Sequence, residues 1–353
     1  MTRKPATVKE LIYYSRFLSC MCWLMLSSLP IVSCMPSFHP KTSVATEQVP
    51  QRKVRSFPDF IAVIAEPGDT LSSLALEYLG DSSMDWFISQ FNGITSLSPG
   101  QEVAIPLKAY EKGGLTFTGY RTVPVLCYHK FSKTKDDQMT VRESTFKEQM
   151  QYLKEQGFRV ITLDQLVDFI NFKRQIPERS VVITIDDGWR STYDIAYPIL
   201  QRYGYPATLF VYTDMIVGSS STLSYELLET MSKNGMDIQC HTKTHRNLNR
   251  KGEHQSFREY FKAIEGELTL CREIIRQKLN IKVRYLAYPY GETNSLVIAL
   301  LMKLGYKGAF TTEGRSNGFF VHPYRIARSM IYGDFDLEDF KRTLTTFVYE
   351  PLR

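Results

Sequence analysis

Regular alternation of strand and helix signals over the last two thirds of the sequence predicts an α/β chain, preceded by a smaller α+β unit. Three observations carry this. Short apolar runs at 123–128, 180–185, 207–212, 236–240, 284–287, 306–310 and 324–331 have the length of buried strands. Between them, helical periodicity recurs at 144–156, 163–169, 191–203, 225–234, 257–279, 295–304 and 337–345. Strands alternating with helices form a parallel sheet covered by helices, as an open sheet or a barrel. In both, active residues gather where strands end and loops begin.

The chain has 353 residues, with 43% hydrophobic and 13% aromatic content, enough for two unequal domains with sizeable cores. Residues 1–33 carry Arg3, Lys4, Lys9 and Arg16 against Glu10, so they hold half of the formal charge of +6. The near-neutral remainder gives no electrostatic reason to expect a nucleic-acid partner. Basic residues followed by the apolar stretch 17–32, short for a membrane span of roughly 20 residues, predict an export signal over 1–33. The signal closes on Ile31-Val32-Ser33-Cys34, which resembles a bacterial lipobox. The resemblance implies lipidation of Cys34 and a membrane-anchored lipoprotein, secreted or held at the cell envelope, touching membrane only through that anchor. Residues 34–59, with four prolines between 35 and 58, then form a tether. Cys127, Cys240 and Cys271 remain, an odd and irregular set that is no disulfide framework; they are expected as small buried residues with at most one pair bridged.

Segment 60–107 has its own punctuation. A weakly alternating strand, Ile61-Ala62-Val63-Ile64, turns at Pro67-Gly68-Asp69-Thr70 into a helix capped by Asp69 or Thr70, with Leu71, Leu74, Ala75 and Tyr78 on one face. A second helix near 85–91 stops at Asn92-Gly93, and 97–106 reads as a turn and a closing strand. This unit resembles the LysM domain in its "PGDTL", "FNG" and "LSPGQEVAIP" runs. The resemblance implies binding to N-acetylglucosamine-containing glycans in a groove near Gly68, Asp69, Thr70, Asn92, Gly93 and Ile94. A linker, 108–122, carries Gly113-Gly114, and the larger domain spans 123–353.

The larger domain's chemistry sits at strand ends. Asp186-Asp187-Gly188 closes the run Val181-Val182-Ile183-Thr184-Ile185, and His241 and His245 follow a later strand, four residues apart. One carboxylate and two imidazoles suit a divalent metal with positions left for water and substrate. The second carboxylate is then free to act as a base beside it. Tyr288-Pro289-Tyr290-Gly291 ends a further strand.

Taken in order, "TIDDG", "HTKTH" and "YPYG" resemble the three motifs of polysaccharide deacetylases of the NodB-homology type, carbohydrate esterase family 4. The flanking "VPVLCYHKF" and "HPYRIARSMIYGD" are similar to a branch that deacetylates surface polysaccharides. The resemblance covers nearly all of 123–353. It implies a distorted (β/α) barrel and a divalent metal, most often zinc, with cobalt or nickel possible, held by Asp187, His241 and His245. It implies Asp186 as the base and the Tyr290 N–H as an oxyanion donor. The usual late Leu-x-His motif is missing, and His129 in "CYHK" takes the acid role by the same resemblance; His322 is its rival in what reads as a surface turn. The arginine expected two residues before Pro289 is replaced by Ala287. Arg328 in "RIARSMI" either reaches across the barrel mouth in its place or is an exposed strand arginine. Arg246 stands where a proline is common.

Trp189, Tyr288 and Pro289 are carried as candidate substrate contacts, although aromatics at strand ends more often pack in cores. The charged helix 257–279 reads as the solvated outside of the barrel. The expected function is N-deacetylation of an N-acetylglucosamine-containing envelope polymer, peptidoglycan or exopolysaccharide. Two alternatives stay open: a non-catalytic glycan-binding envelope protein with a degenerate barrel, and an O-acetyl polysaccharide esterase.

Overall fold

The fold is described from a computed structural model over residues 52–107, 112–116 and 118–350. The export signal, the lipidation cysteine Cys34 and the tether up to residue 51 lie outside the described residues.

The small module begins with β1 (Val54–Ser56) and β2 (Phe60–Ile64), and closes with β3 (Glu102–Pro106) in one antiparallel sheet of order β1-β2-β3. Between β2 and β3 lie α1 (Leu71–Leu79) and α2 (Asp85–Asn92). Thr70 caps α1 in a reciprocal box with Ser73, and Gly80 ends it in the left-handed conformation. Leu74, Ala75, Ile88, Val103 and Ile105 are buried together, giving the module its own apolar core.

A hairpin, β4 (Leu115–Thr116) and β5 (Gly119–Arg121), leads into the barrel. Its strands are β6 (Val125–Tyr128), a short parallel pair β7 (Lys130–Ser132) and β8 (Thr140–Arg142), then β9 (Arg159–Val160), β10 (Ser180–Asp187), β11 (Thr208–Val211), β12 (Asp237–Cys240), β13 (Tyr285–Ala287), β14 (Gly308–Phe310) and β15 (Ser329–Met330). The main sheet runs in the order β14-β13-β12-β11-β10-β6-β15, all parallel, with β9 also on β10. The expected seventh strand, 324–331, is a shared closure rather than a full strand. Ile326 bridges to Phe310 at one edge of the sheet, while Ser329 and Met330 pair with β6 at the other. One short segment therefore joins both edges, and the sheet curls into the distorted barrel.

Helices α3 (Glu143–Glu155), α4 (Leu163–Ile170), α5 (Tyr197–Tyr203), α6 (Tyr225–Lys233), α7 (Phe257–Leu279), α8 (Ser295–Lys303) and α9 (Leu337–Arg342) complete the domain. A single helix was expected over 191–203; instead a π-turn over Thr192–Ala196 precedes α5, directly after the loop that follows β10. Strand β16 (Phe347–Tyr349) returns to pair with β5. No helix among the described residues is long and apolar enough to cross a membrane.

The module and the barrel touch. Arg159 pairs with Asp85 at 3.1 Å, and Arg174 with Asp81 at 3.0 Å.

Candidate active site

Strand β10 delivers both aspartates, and the two-residue repeat of a strand separates them. Asp186 is buried, whereas the next side chain, Asp187, is partly open. Asp187 bends the chain at φ 79°, and Gly188 follows at φ 118°. A Cβ on Gly188 would lie 2.5 Å from the tip of Ile216, which can move aside, so it is the torsion of this turn that requires glycine.

Two imidazoles reach the same place from the end of β12. His241 Nε2 lies 3.8 Å and His245 Nε2 3.5 Å from Asp187 Oδ1. Each ring and the carboxylate is oriented by a second contact. His241 Nδ1 lies 2.8 Å from the carbonyl of Ala287, which can only accept, so Nδ1 carries the proton and Nε2 keeps its lone pair. Trp189 Nε1 donates to Asp187 Oδ2 at 2.9 Å, leaving Oδ1 turned toward the histidines. His245 stands between the rings of Tyr212 and Tyr290, with centroids 5.1 and 4.9 Å away. Atoms bound at about 2.0–2.1 Å to one tetrahedral cation sit roughly 3.4 Å apart. The Asp187, His241 and His245 donor atoms all lie within 4.8 Å of one another, so the set fits a divalent ion after a small contraction. Burial pushes His241 well below its ordinary value against the pull of Asp186 and Asp187, so its ring is neutral and able to ligate.

Asp186 is held by an arginine from the segment that leads into β15, one strand beyond β6. Arg328 Nη1 and Nη2 meet Asp186 Oδ1 and Oδ2 at 2.6 and 2.8 Å. Both side chains are almost fully buried, at 0% and 2% exposure. Arg328 spends its other donors on the Thr311 carbonyl at 3.2 Å and the Thr184 hydroxyl at 3.3 Å. Arg328 is therefore not an exposed strand arginine; it meets Asp186 because 326–330 is the segment that closes the barrel. Burial raises the Asp186 carboxyl, but the Arg328 guanidinium outweighs it and holds the group far below the usual carboxylate range.

His129 follows β6, and its ring lies within 4.8 Å of the Asp186 carboxylate and the Cys127 thiol. Burial lowers it from the ordinary histidine value, with Asp186 and Asp187 opposing. His322 is exposed in a turn, where its Nδ1 accepts from the Tyr324 N–H at 3.2 Å. Tyr290 is 64% exposed and adopts φ 62°, which presents its ring to His245 at the open edge of the site.

Several expectations need correction. Tyr288 is fully buried with its hydroxyl donated to the Tyr324 carbonyl at 3.0 Å, and Pro289 is buried too, so neither offers a face to a polymer. Both shape the turn that carries Tyr290. Trp189 acts through Asp187, and Lys130 Nζ sits 3.7 Å above its ring, so that face is already covered. In the small module, the Asn92 amide donates to the Ile88 and Ala104 carbonyls and accepts from the Ala104 N–H, and Thr70 is committed to its cap. Asp69 accepts from Arg52 and the Glu66 N–H. These three polar side chains serve the fold of the module. Gly93 ends α2 at φ 65°, Gly68 turns the chain at φ 94°, and Ile94 packs against the module core.

Sequence reasoning missed Glu267. It lies on α7, read as a solvated helix, yet it is buried beneath the histidine loop and accepts from the N–H groups of Lys243 and Thr244. The signal was present: Tyr260, Ile264, Glu267, Leu268, Cys271 and Ile275 form the buried stripe of α7, and an acid in such a stripe needs partners. Cys240 and Cys271 are bridged with Cα atoms 6.2 Å apart, while Cys127 stays a buried free thiol.

A family model described as polysaccharide deacetylase matches residues 173–309. The chain is 29% identical over 201 residues to a poly-beta-1,6-N-acetyl-D-glucosamine N-deacetylase of Staphylococcus epidermidis, covering 55% of this chain and 69% of the relative. Among solved structures, a Streptococcus pyogenes deacetylase in complex with acetate aligns with TM-score 0.57 at 23% identity, over 63% of this chain and 98% of that one. IcaB from Ammonifex degensii aligns with TM-score 0.55 at 22% identity, over 64% and 97%. These two likenesses establish the fold of the barrel.

Proposed function

We propose that this chain, which carries a polysaccharide deacetylase domain, is a divalent-metal-dependent N-deacetylase of an N-acetylglucosamine-containing envelope polysaccharide. The observation that supports this best is the meeting of Asp187, His241 and His245 within 4.8 Å, beside an Asp186 gripped by Arg328. Asp187 Oδ1, His241 Nε2 and His245 Nε2 would hold the ion, with zinc suiting two nitrogens and one oxygen. When bound, such an ion supplies the Lewis acidity that activates water and polarises the acetyl carbonyl.

The chain's own groups supply the rest. Asp186, ionised at any working pH, accepts a proton as the water oxygen bonds to the acetyl carbon. Arg328 fixes the carboxylate in one orientation and keeps it from being protonated beforehand, at the cost of weakening it as a base. The Tyr290 N–H donates to the oxyanion that forms. His129, beside Asp186, passes the proton to the departing amine as the carbon–nitrogen bond breaks.

Two further readings concern place and polymer. The buried Cys240–Cys271 bridge belongs to an oxidising compartment, in keeping with export to the envelope and, through Cys34, a lipid anchor. The small module, similar to LysM, would hold the enzyme on glycan. The Staphylococcus epidermidis relative favours a poly-N-acetylglucosamine exopolymer, and the small module favours peptidoglycan.

The test is acetate release from N-acetylglucosamine oligomers of defined linkage, with metal analysis of the same sample. Stoichiometric metal with acetate release is expected. Full metal occupancy with no acetate from any of them would leave only a glycan-binding role.

A further inference from the structure

The loop between the two histidines is held in an unfavourable shape. Thr242 and His245 both adopt left-handed torsions, φ 70° and 64°. For a β-branched residue such as Thr242 this is a genuine outlier, so the surroundings must impose it. Within the loop, the His245 N–H donates to Thr242 Oγ1 at 3.0 Å. On one side the turn after β11 holds it, with the Thr213 N–H donating to the Thr242 carbonyl at 3.3 Å and the Asp214 N–H to the Lys243 carbonyl at 3.0 Å; on the other side it is held by α7. Glu267 Oε2 accepts from the Lys243 N–H at 2.9 Å and the Thr244 N–H at 2.8 Å, while Oε1 accepts from the Thr244 hydroxyl at 2.7 Å. Four residues on, and therefore on the same helix face, Cys271 is bridged to Cys240, the residue directly before His241.

We propose that Glu267 and the Cys240–Cys271 bridge form a two-point clamp on α7 that presets His241 and His245 for the metal. Glu267 is a positioning residue: it touches neither the ion nor the substrate. The bridge fixes the chain before His241, and the carboxylate fixes it between His241 and His245. With both points set, the imidazoles need only a small contraction when the ion enters. Removing either point lets the loop relax out of its left-handed torsions and turns the second imidazole away. The hydrogen-bond pattern requires an acceptor rather than a charge at Glu267. A glutamine oxygen can take both N–H groups, and its amide can donate to the Thr244 hydroxyl.

This inference rests on the metal-site reading above, and the two can fail separately. The experiment strips the full chain of metal, titrates it with Co2+, and follows the visible absorption bands of the bound ion. Compared are the wild type, Glu267→Leu, Glu267→Gln, Thr244→Val and the double variant Cys240→Ala/Cys271→Ala. Outer-sphere partners of metal ligands are worth about 10–100-fold in affinity, and a loss on that scale is expected for Glu267→Leu. Glu267→Gln should bind within about threefold of wild type on the same scale, and the double cysteine variant and Thr244→Val should fall between. The Co2+ bands of Glu267→Leu should also change shape as one imidazole is lost. Equal affinity and identical bands in wild type and Glu267→Leu would overturn the clamp. Should Glu267→Leu fail to fold, unchanged Co2+ affinity in both Thr244→Val and the double cysteine variant would overturn it equally. A wild-type chain that takes up no Co2+ would instead overturn the metal site itself.

Discussion

Asp186 and Asp187 are neighbours of the same residue type with opposite environments, and the difference decides what each can do. Asp186 faces inward onto Arg328, and Asp187 faces the opening with one oxygen given to Trp189. Replacing Asp186 by Asn should therefore leave metal content intact and cut turnover at least ~100-fold, the scale of a general base; normal acetate release from that variant would place the base elsewhere. Arg328→Met should cost about 3–5 kcal/mol, because it strands a buried carboxylate without its partner. Thermal or denaturant melting reads this directly. The pH dependence has a definite sign. Burial depresses both His241 and His129, so the unfolded chain takes up protons first as pH falls below roughly 6.5. Metal-free protein should thus lose stability as pH drops from 7 toward 5, and a melting temperature that stays flat across that interval would contradict the buried, neutral rings. Asp186 has the same sign in a lower window: its depressed value stabilises the fold above about pH 4, and that contribution is lost in stronger acid.

Among the elements, strand ends and the turns after them carry the site's cost. Of the six described non-glycine residues with positive φ, Asp187, Thr242, His245 and Tyr290 lie at the site. Such torsions persist only where packing over-determines them, at about 1–3 kcal/mol each. Here that packing comes from Ile216 under Gly188, from Tyr288 and Pro289 under Tyr290, and from α7 under the histidines. In the small module, Asn92 joins the end of α2 to β3 through both atoms of its amide. Asn92→Ala should destabilise that module by about 1–3 kcal/mol, since it leaves Ala104 without partners for its N–H and C=O. Melting of the full chain, followed through the buried Trp86 on α2, would show the loss; an unchanged early transition would mean the amide bonds are replaced by water.

For the molecule as a whole, a small module with its own core rests against the barrel through exposed ion pairs such as Arg159–Asp85 and Arg174–Asp81. Pairs of that kind are worth about 0–1 kcal/mol, so the contact is one the barrel can do without. If the module serves to hold glycan, removing residues 52–107 should leave the rate on short soluble oligomers near wild type. The same deletion should slow release of acetate from insoluble polymer, because the local substrate concentration falls. Equal losses on both would argue for a structural role. Much of this was legible in the sequence. Apolar runs at strand length, helical stripes, Asp186-Asp187-Gly188 and the four-residue spacing of His241 and His245 are local patterns, and local patterns fix strand, helix and the donor atoms each strand end can present. What they do not fix is which distant side chains meet. Arg328 became the partner of Asp186 only because a short segment bridges both edges of the sheet, and Glu267 became a support for the histidine loop only because α7 lies beneath it. Tyr288, read as a substrate contact, is buried because the turn it opens folds back over the core. Contacts between residues far apart in the chain depend on how the sheet closes and on which face each helix buries, and those are properties of the packed whole.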